Sequence, residues 1–365
     1  MSDTARGGPA VGTSASGTSA TDISTPGTLA PNGEAGLLAR ILPQLRQGPD
    51  VEVGPGDDAA VVRLPSDRLV VTTDTLVEGY DFLPGTSHPL WIGHKAAVQN
   101  LADVAAMGAR PLALVVSVSA PAETSTLVFE QLSTALAERA GRDGASIVGG
   151  DLGQAPQLTI TVTAMGALAA GDAPVLRSGA RPGDVLTIGS AQLGRSAAGL
   201  ALVLGGRVRI VQDRSARGEP RPLVRGVEDP LAAEVVRWHN APDPDLALGW
   251  AAGRAATSML DLSDGLGRDG GRLAAASGVD IDLDRAALAF DAVRLAPLAA
   301  ELGQDPWQWL LHGGEEHAML ATFPPGEVPT GFRPIGAVRP ARDPAAAQVT
   351  LDGQALPGVG WDHFA

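Results

Sequence analysis

Apolar positions along this chain recur with two periods, and the switches between them outline the fold. Leu37, Leu38, Ile41, Leu42 and Leu45 recur at helical spacing, so ordered structure is expected from about Glu34. Strand-like runs follow at 59–64 and 68–73. Residues 91–107 are small and apolar with a helical period, and Gly108 ends them. Residues 112–119 alternate as a strand, 127–140 read as an amphipathic helix, and 146–148 and 158–166 as further strands. Turn chemistry at 171–174 and 181–184 marks a domain boundary. Beyond it come strand 185–188, helices 196–204, 231–238 and 247–256, strand 258–262, helix 268–276, and strands 279–283 and 317–322. The charged, irregular stretch 206–229 reads as a mobile loop. The pattern predicts two α/β domains, each a mixed sheet with helices on one face.

Residues 1–33 change the picture at the start. They are Ser, Thr, Gly, Ala and Pro with almost no large apolar side chain, so they are expected to form a disordered tail. The tail has no basic start followed by an apolar stretch, and so does not read as a secretory signal. No run approaches the ~20 apolar residues of a membrane span. With Lys+Arg 27 against Asp+Glu 41, the formal net charge of -14 argues against a broad nucleic-acid surface. The expected setting is the cytoplasm. The absence of cysteine excludes disulfides, thiolate-bound zinc, iron–sulfur clusters and thiol catalysis. Lys95 is the sole lysine.

Acids stand beside glycines or hydroxyls at five expected strand ends: Gly56-Asp57-Asp58, Thr72-Thr73-Asp74, Gly149-Gly150-Asp151, Asp261-Leu262-Ser263-Asp264-Gly265 and Gly313-Gly314-Glu315-Glu316. Singly, each is ordinary turn chemistry. Together, and with Asp103 inside an apolar helix, they suit hard divalent cations such as Mg²⁺, which take a few carboxylates plus substrate phosphates. Arg177 and Lys95 are candidate phosphate cations, and the Gly-Gly turns could bring backbone N–H groups to phosphate oxygens. There is no Gly-x-x-x-x-Gly-Lys-Ser/Thr loop and no Gly-x-Ser-x-Gly elbow. The stretch Gly265-Leu266-Gly267-Arg268-Asp269-Gly270 has the form of a dinucleotide fingerprint, but acids crowd the turn where a pyrophosphate would sit. His312 and His317 do not form a recognised zinc pair, and structural roles are expected for them.

As a set these motifs resemble the thiamine-monophosphate kinases, members of the aminoimidazole ribonucleotide synthetase-like (PurM-like) superfamily. The matching stretches are GDDAAVV from Gly56, TTDTLVEGYDF from Thr72, KAAVQNLADVAAMGARP from Lys95, GGD from Gly149 and RSGARPGD from Arg177. They continue with AAGLAL from Ala197, DLSDGLGRD from Asp261, GGEE from Gly313 and GWDHFA from Gly360. The resemblance implies a two-domain PurM-like α/β fold. An N-terminal domain, 34–170, would bind ATP and metal and pair its sheet into a barrel across a homodimer; a C-terminal α/β domain would follow, 171–365. It also implies Mg²⁺-dependent transfer of the ATP γ-phosphoryl group to thiamine phosphate, with no covalent enzyme intermediate and no nucleic-acid or membrane partner. Carried over by position, Asp58, Asp74, Asp103, Asp151 and Asp261 would ligate metal, with Thr72, Thr73 and Asp264 adding to the set. Gly150, Asp151, Arg177 and Ser263 would contact ATP, and Glu315 and Trp361 the thiamine moiety.

Three departures fall on the expected substrate side. Asp81 stands where the family has a substrate-contacting histidine. Residues 313–317 are Gly-Gly-Glu-Glu-His rather than Gly-Gly-Glu-Asp-Tyr, and acids replace cations in 239–245. Zero cysteines exclude the selenophosphate synthetase and hydrogenase-maturation branches. An aminoimidazole ribonucleotide synthetase-type enzyme and a non-catalytic ATP-binding relative are the alternatives.

Overall fold

The computed structural model describes residues 29–206, 208–213, 221–343 and 346–356. Most of the expected tail, and the closing GWDHFA with Trp361, lie outside the described residues. Helix α1 spans Leu29–Ile41, so order begins several residues before Glu34. Leu37 and Ile41 are buried and anchor this helix, and extending an anchored helix by a turn costs little.

A small antiparallel pair, β1 (Val51–Val53) and β2 (Val61–Val62), precedes the first large sheet. That sheet is built from β3 (Leu69–Val77), then after α2 (Pro89–Ala106) β4 (Arg110–Ala120), and after α3 (Thr126–Arg142) β5 (Ser146–Gln154) and β6 (Thr159–Ala167). Its order is β3-β6-β4-β5; β4 and β5 are parallel and the other neighbours antiparallel. Asp74 and Asp151 therefore lie inside strands rather than in turns at strand ends, because β3 and β5 run on past the apolar stretches that announced them.

The second half contributes β7 (Val185–Ile188), α4 (Arg195–Leu204), β8 (Arg209–Asp213), β9 (Arg221–Arg225), α5 (Pro230–Asn240) and α6 (Ala247–Ala252). It continues with β10 (Ser258–Asp261), α7 (Leu266–Ser277), β11 (Val279–Leu283), α8 (Arg285–Leu302) and α9 (Pro306–His312). Then come β12 (Met319–Phe323), β13 (Arg333–Pro340), β14 (Val349–Leu351) and β15 (Gln354–Ala355). The seven-stranded sheet runs β10-β12-β7-β13-β11-β14-β15. The expected mobile loop at 206–229 instead contains the β8–β9 hairpin, whose Ile210 and Val224 lean on the second core.

Helices on one face describes the first sheet only. The second sheet is covered on both faces, and its side chains sort by strand parity. Leu260 and Leu320 enter a core with Leu202, Val235 and Leu295. Met259, Met319, Ala321 and Phe323 enter the other core, shared with Ala97, Leu101 and Val104 of α2. Helix α2 is thus wedged between the two sheets, which accounts for its being apolar almost all round. It starts on His88, whose Nδ1 accepts the Leu90 N–H at 3.2 Å, with Pro89 in the first turn.

At the α2–α3 crossing a Cβ on Gly93 would lie 2.2 Å from the Leu132 carbonyl oxygen. Helix propensity alone favours alanine there by about 1 kcal/mol. The clash is with backbone and outweighs it, so Gly93→Ala is expected to lower unfolding free energy by about 1–3 kcal/mol in chemical denaturation.

Candidate active site

A cleft of about 970 Å³ opens between the two halves, with Thr72, Asp103, Met107, Leu176, Arg177 and Asp261 among its walls. Strand parity sends Thr72 and Asp74 toward α2. Thr72 Oγ1 donates to Asp103 Oδ2 at 2.8 Å, and the Asp74 N–H donates to Asn100 Oδ1 at 2.9 Å. Asn100 is buried, and its own amide is tied to the Ala96 carbonyl. The same parity turns Thr73 to the opposite face, where its hydroxyl meets the Val162 carbonyl at 3.0 Å and Thr163 Oγ1 at 3.1 Å. The structure therefore does not bring the Thr73 side chain to the Asp74 carboxylate.

Asp74, Asp103 and Asp261 come from β3, α2 and β10 and act on one another electrostatically. Burial, then Asp261 and Asp74, pushes the Asp103 carboxyl up to about 7 against the Thr72 hydrogen bond. Burial also raises Asp74, with Asp261 adding and a hydrogen bond from Gln99 opposing. Among the described residues neither Asp74 nor Asp103 has a lysine or arginine ion pair. Asp261 Oδ2 lies 3.2 Å from His317 Nδ1. Burial works against the His317 imidazolium, but Asp261 outweighs it and raises the ring.

This donor set fits a hard divalent cation: carboxylates whose mutual repulsion calls for positive charge, with a hydroxyl beside them. Among the described residues no group of three or more His, Asp or Glu is close enough to hold an ion unaided. The set therefore fits ions that also take oxygens from a phosphate substrate, as Mg²⁺ commonly does. One consequence is measurable. The folded Asp103 binds its proton more tightly than the unfolded chain between 3.8 and about 7, so stability through this group falls as pH rises across that window. A cation that binds the ionised form reverses the sign. The rise in Tm on adding Mg²⁺ is expected to be larger at about pH 8 than at about pH 5.5 in thermal unfolding. Equal rises would remove Asp103 from the cation site.

The turn after β10 explains the apparent dinucleotide fingerprint. Asp269, in the first turn of α7 and fully buried, folds back so that Oδ2 accepts the N–H groups of Ser263 (3.0 Å) and Asp264 (2.7 Å). The start of α7 thus carries the chain's own carboxylate, and the stretch is a turn-forming device. Burial raises Asp269 to about 6, opposed by the Asp264 N–H and by Arg272. Arg272 also pairs with Asp264 Oδ2 at 2.5 Å, so within one chain this carboxylate, unlike Asp74 and Asp103, already has an arginine partner.

The other Gly-Gly pairs serve close packing, and Gly149-Gly150 is part of strand β5 rather than a turn. A Cβ on Gly314 would sit 2.3 Å from the Ser263 carbonyl oxygen, and one on Gly150 2.0 Å from that of Val116. Asp151 is exposed on β5, at the opposite edge of the sheet from β3, and Asp58 is exposed between β1 and β2. Within one chain neither joins the three-acid group.

On the far side of the group, Glu315 sits in left-handed backbone with φ 59° and donates its N–H to the Ser263 carbonyl at 2.8 Å. Lys95 is not a free phosphate cation: it is 2% exposed and pairs with Glu315 Oε1 at 2.5 Å. Asp81 closes its own turn by accepting the Val77 N–H at 2.7 Å. Glu316 is buried, accepting from Ser196 N (3.0 Å) and Trp238 Nε1 (2.9 Å), with Arg195 stacked on the Trp238 ring. In 239–245, Asp243 pairs with Arg142 of α3. Burial lowers His94 to about 4, and the neutral ring donates from Nε2 to the Pro242 carbonyl at 2.8 Å. Of the acids that replaced cations here, Asp243 clamps the segment to the first half, while Asp245 accepts the Ala247 N–H at 3.1 Å. Sequence reading missed Asn100, Asp269 and His239, whose roles depend on partners remote in the fold or on a fold-back.

The first sheet and its helices belong to a mixed α/β domain of the AIR synthase-related class. Residues 56–168 match the family model described as AIR synthase related protein, N-terminal domain. The thiamine-monophosphate kinase of Mycobacterium tuberculosis is 44% identical over 339 residues, covering 92% of this chain and 93% of that protein. The crystal structure of thiamine-monophosphate kinase from Stenotrophomonas maltophilia superposes with a TM-score of 0.72 at 28% identity, over 89% of this chain and 98% of that one. The structure of AaThiL complexed with AMPPCP and TMP superposes with a TM-score of 0.69 at 26% identity, over 92% and 98%. The chain belongs to the thiamine-monophosphate kinase family.

Proposed function

We propose that this protein transfers the γ-phosphoryl group of ATP to thiamine phosphate, giving thiamine diphosphate and ADP, and that it uses Mg²⁺ to do so. The observation that carries the reading is the cleft wall on which Thr72, Asp103, Asp261 and Arg177 meet between two sheets. Family membership and the relative bound to AMPPCP and TMP support it. Asp74, Asp103 and Asp261, with the Thr72 hydroxyl, would hold Mg²⁺, which supplies positive charge to phosphate oxygens when bound. Arg177 projects into the cleft from a backbone fixed by Ser258 and Ser277 hydroxyls on its carbonyl (2.9 and 3.0 Å), and binds ATP phosphates. Ser263 and Gly150 add ATP contacts. Glu315 and Trp361 take the thiamine moiety, with Asp81 in the loop beside it. The transfer needs the two substrates held in line and their charge neutralised, with no side chain bonded covalently to the phosphoryl group.

The reading includes a homodimer in the cytoplasm, with a division near residue 170 into an ATP- and metal-binding domain and a C-terminal α/β domain. The helix-free face of the first sheet exposes Val71 and Val115 beside Thr73, Thr75, Thr161 and Thr163, and a second copy would cover it. Asp58, Asp151 and Asp264 would complete the metal set in that assembly. Among the described residues no helix is long and apolar enough to cross a membrane.

The test is incubation of purified protein with ATP, Mg²⁺ and thiamine phosphate. Thiamine diphosphate is the expected product. ATP binding without turnover would favour a non-catalytic relative, and ATP-dependent closure of an aminoimidazole precursor the synthetase.

A further inference from the structure

We propose that Lys95 is a positioning residue for the phosphate acceptor, acting through Glu315 rather than on phosphate; this rests on the function proposed above. From inside α2 its Nζ reaches two segments of the acceptor side. It donates to the Asp81 carbonyl at 2.8 Å, in the loop leaving β3, and pairs with Glu315 Oε1 at 2.5 Å, in the loop entering β12. The second Glu315 oxygen lies 3.4 Å from His239 Nδ1 on α5. Oε1 is thus ion-paired, and Oε2 lies beside a ring that burial lowers to about 4 and so keeps neutral, while the Glu315 backbone is fixed at φ 59° against Ser263.

A buried ammonium is costly unless paired and hydrogen-bonded, so a lysine exposed by only 2% serves an internal role. Glu315 keeps 33% of its side chain exposed. It therefore presents an anchored acceptor edge whose charge Lys95 already balances. Such an edge selects a ligand by where its N–H groups point rather than by net positive charge. The aminopyrimidine of thiamine supplies donors of that kind.

Ser196, His239 and Glu315 do not form a nucleophilic relay. Ser196 Oγ (3.2 Å) and Glu315 Oε2 both approach the same ring nitrogen, Nδ1. A relay needs base and orienting acid on opposite nitrogens.

The test is a double-mutant cycle on the full-length enzyme with KM measured for both substrates. Lys95→Met is expected to raise KM for thiamine phosphate at least about tenfold and to leave KM for ATP within about twofold. In a Glu315→Gln background the same change should add less than about twofold, since its effect runs through Glu315. Additive effects, or equal rises in both KM values, overturn the proposal. If Lys95→Met alone does not fold, Glu315→Gln is compared with the double variant, which leaves no charge buried alone. Matching KM values there support the proposal, and a further rise of about tenfold overturns it. Wild-type protein that makes no thiamine diphosphate overturns the function and this inference together. An active wild type with additive variants overturns this inference alone.

Discussion

Asp103→Asn is expected to lower kcat on the order of 10²–10³-fold while raising the thermal stability of the metal-free protein. The two effects have one cause. Asp103 sits on a helix buried between two sheets, and its charge is opposed by burial and by Asp261 and Asp74. Asparagine has the same shape and can still accept the Thr72 hydroxyl hydrogen bond. It removes the repulsion, and with it one of the charges that, in the function proposed above, would hold Mg²⁺ against the triphosphate. Steady-state kinetics at saturating ATP, paired with melts in chelator, read both arms. Undiminished turnover with Mg²⁺ limiting would place Asp103 outside the metal site. A fall in stability would mean that the acid group is already neutralised within the folded chain.

Asp103 was legible because an acid on an apolar helix is costly without a partner, and that cost can be read in one dimension. Asp74 and Asp261 were legible for a similar reason, as acids beside hydroxyls and small residues. The choice between Thr72 and Thr73 was also within reach. Residues i and i+2 of a strand share a face, so a Thr on the Asp74 face has to be Thr72. Other features depend on the fold itself. The Lys95–Glu315 pair joins residues from the two halves of the chain, and no local pattern links them. Asp269 resembled a helix residue in a fingerprint until its carboxylate turned back onto Ser263 and Asp264. Helix α8 escaped notice because Pro297 lies inside it and Phe290 and Val293 stay exposed, which blurs the apolar stripe. The sheet covered on both faces was missed because helix α2, from the first half, supplies part of its second cover.

Arg177→Met is expected to raise KM for ATP by about tenfold to a hundredfold, the worth of a charge-assisted hydrogen bond or a bidentate pair. The KM for thiamine phosphate should barely move. In a chain of net charge -14 acids outnumber cations, and its sole lysine is buried in a pair with Glu315. Arg177 is exposed in the cleft, and among the described residues it has no carboxylate partner. Two serine hydroxyls fix its backbone, so the guanidinium starts from a defined place. Arg177→Lys should recover only part of the loss, because an ammonium keeps the charge but not the planar fork that grips two phosphate oxygens. Equal rises in both KM values would move Arg177 away from the ATP end of the cleft. Full recovery by lysine would reduce its role to charge, leaving orientation of the triphosphate to the proposed metal ions and the carboxylates that would hold them.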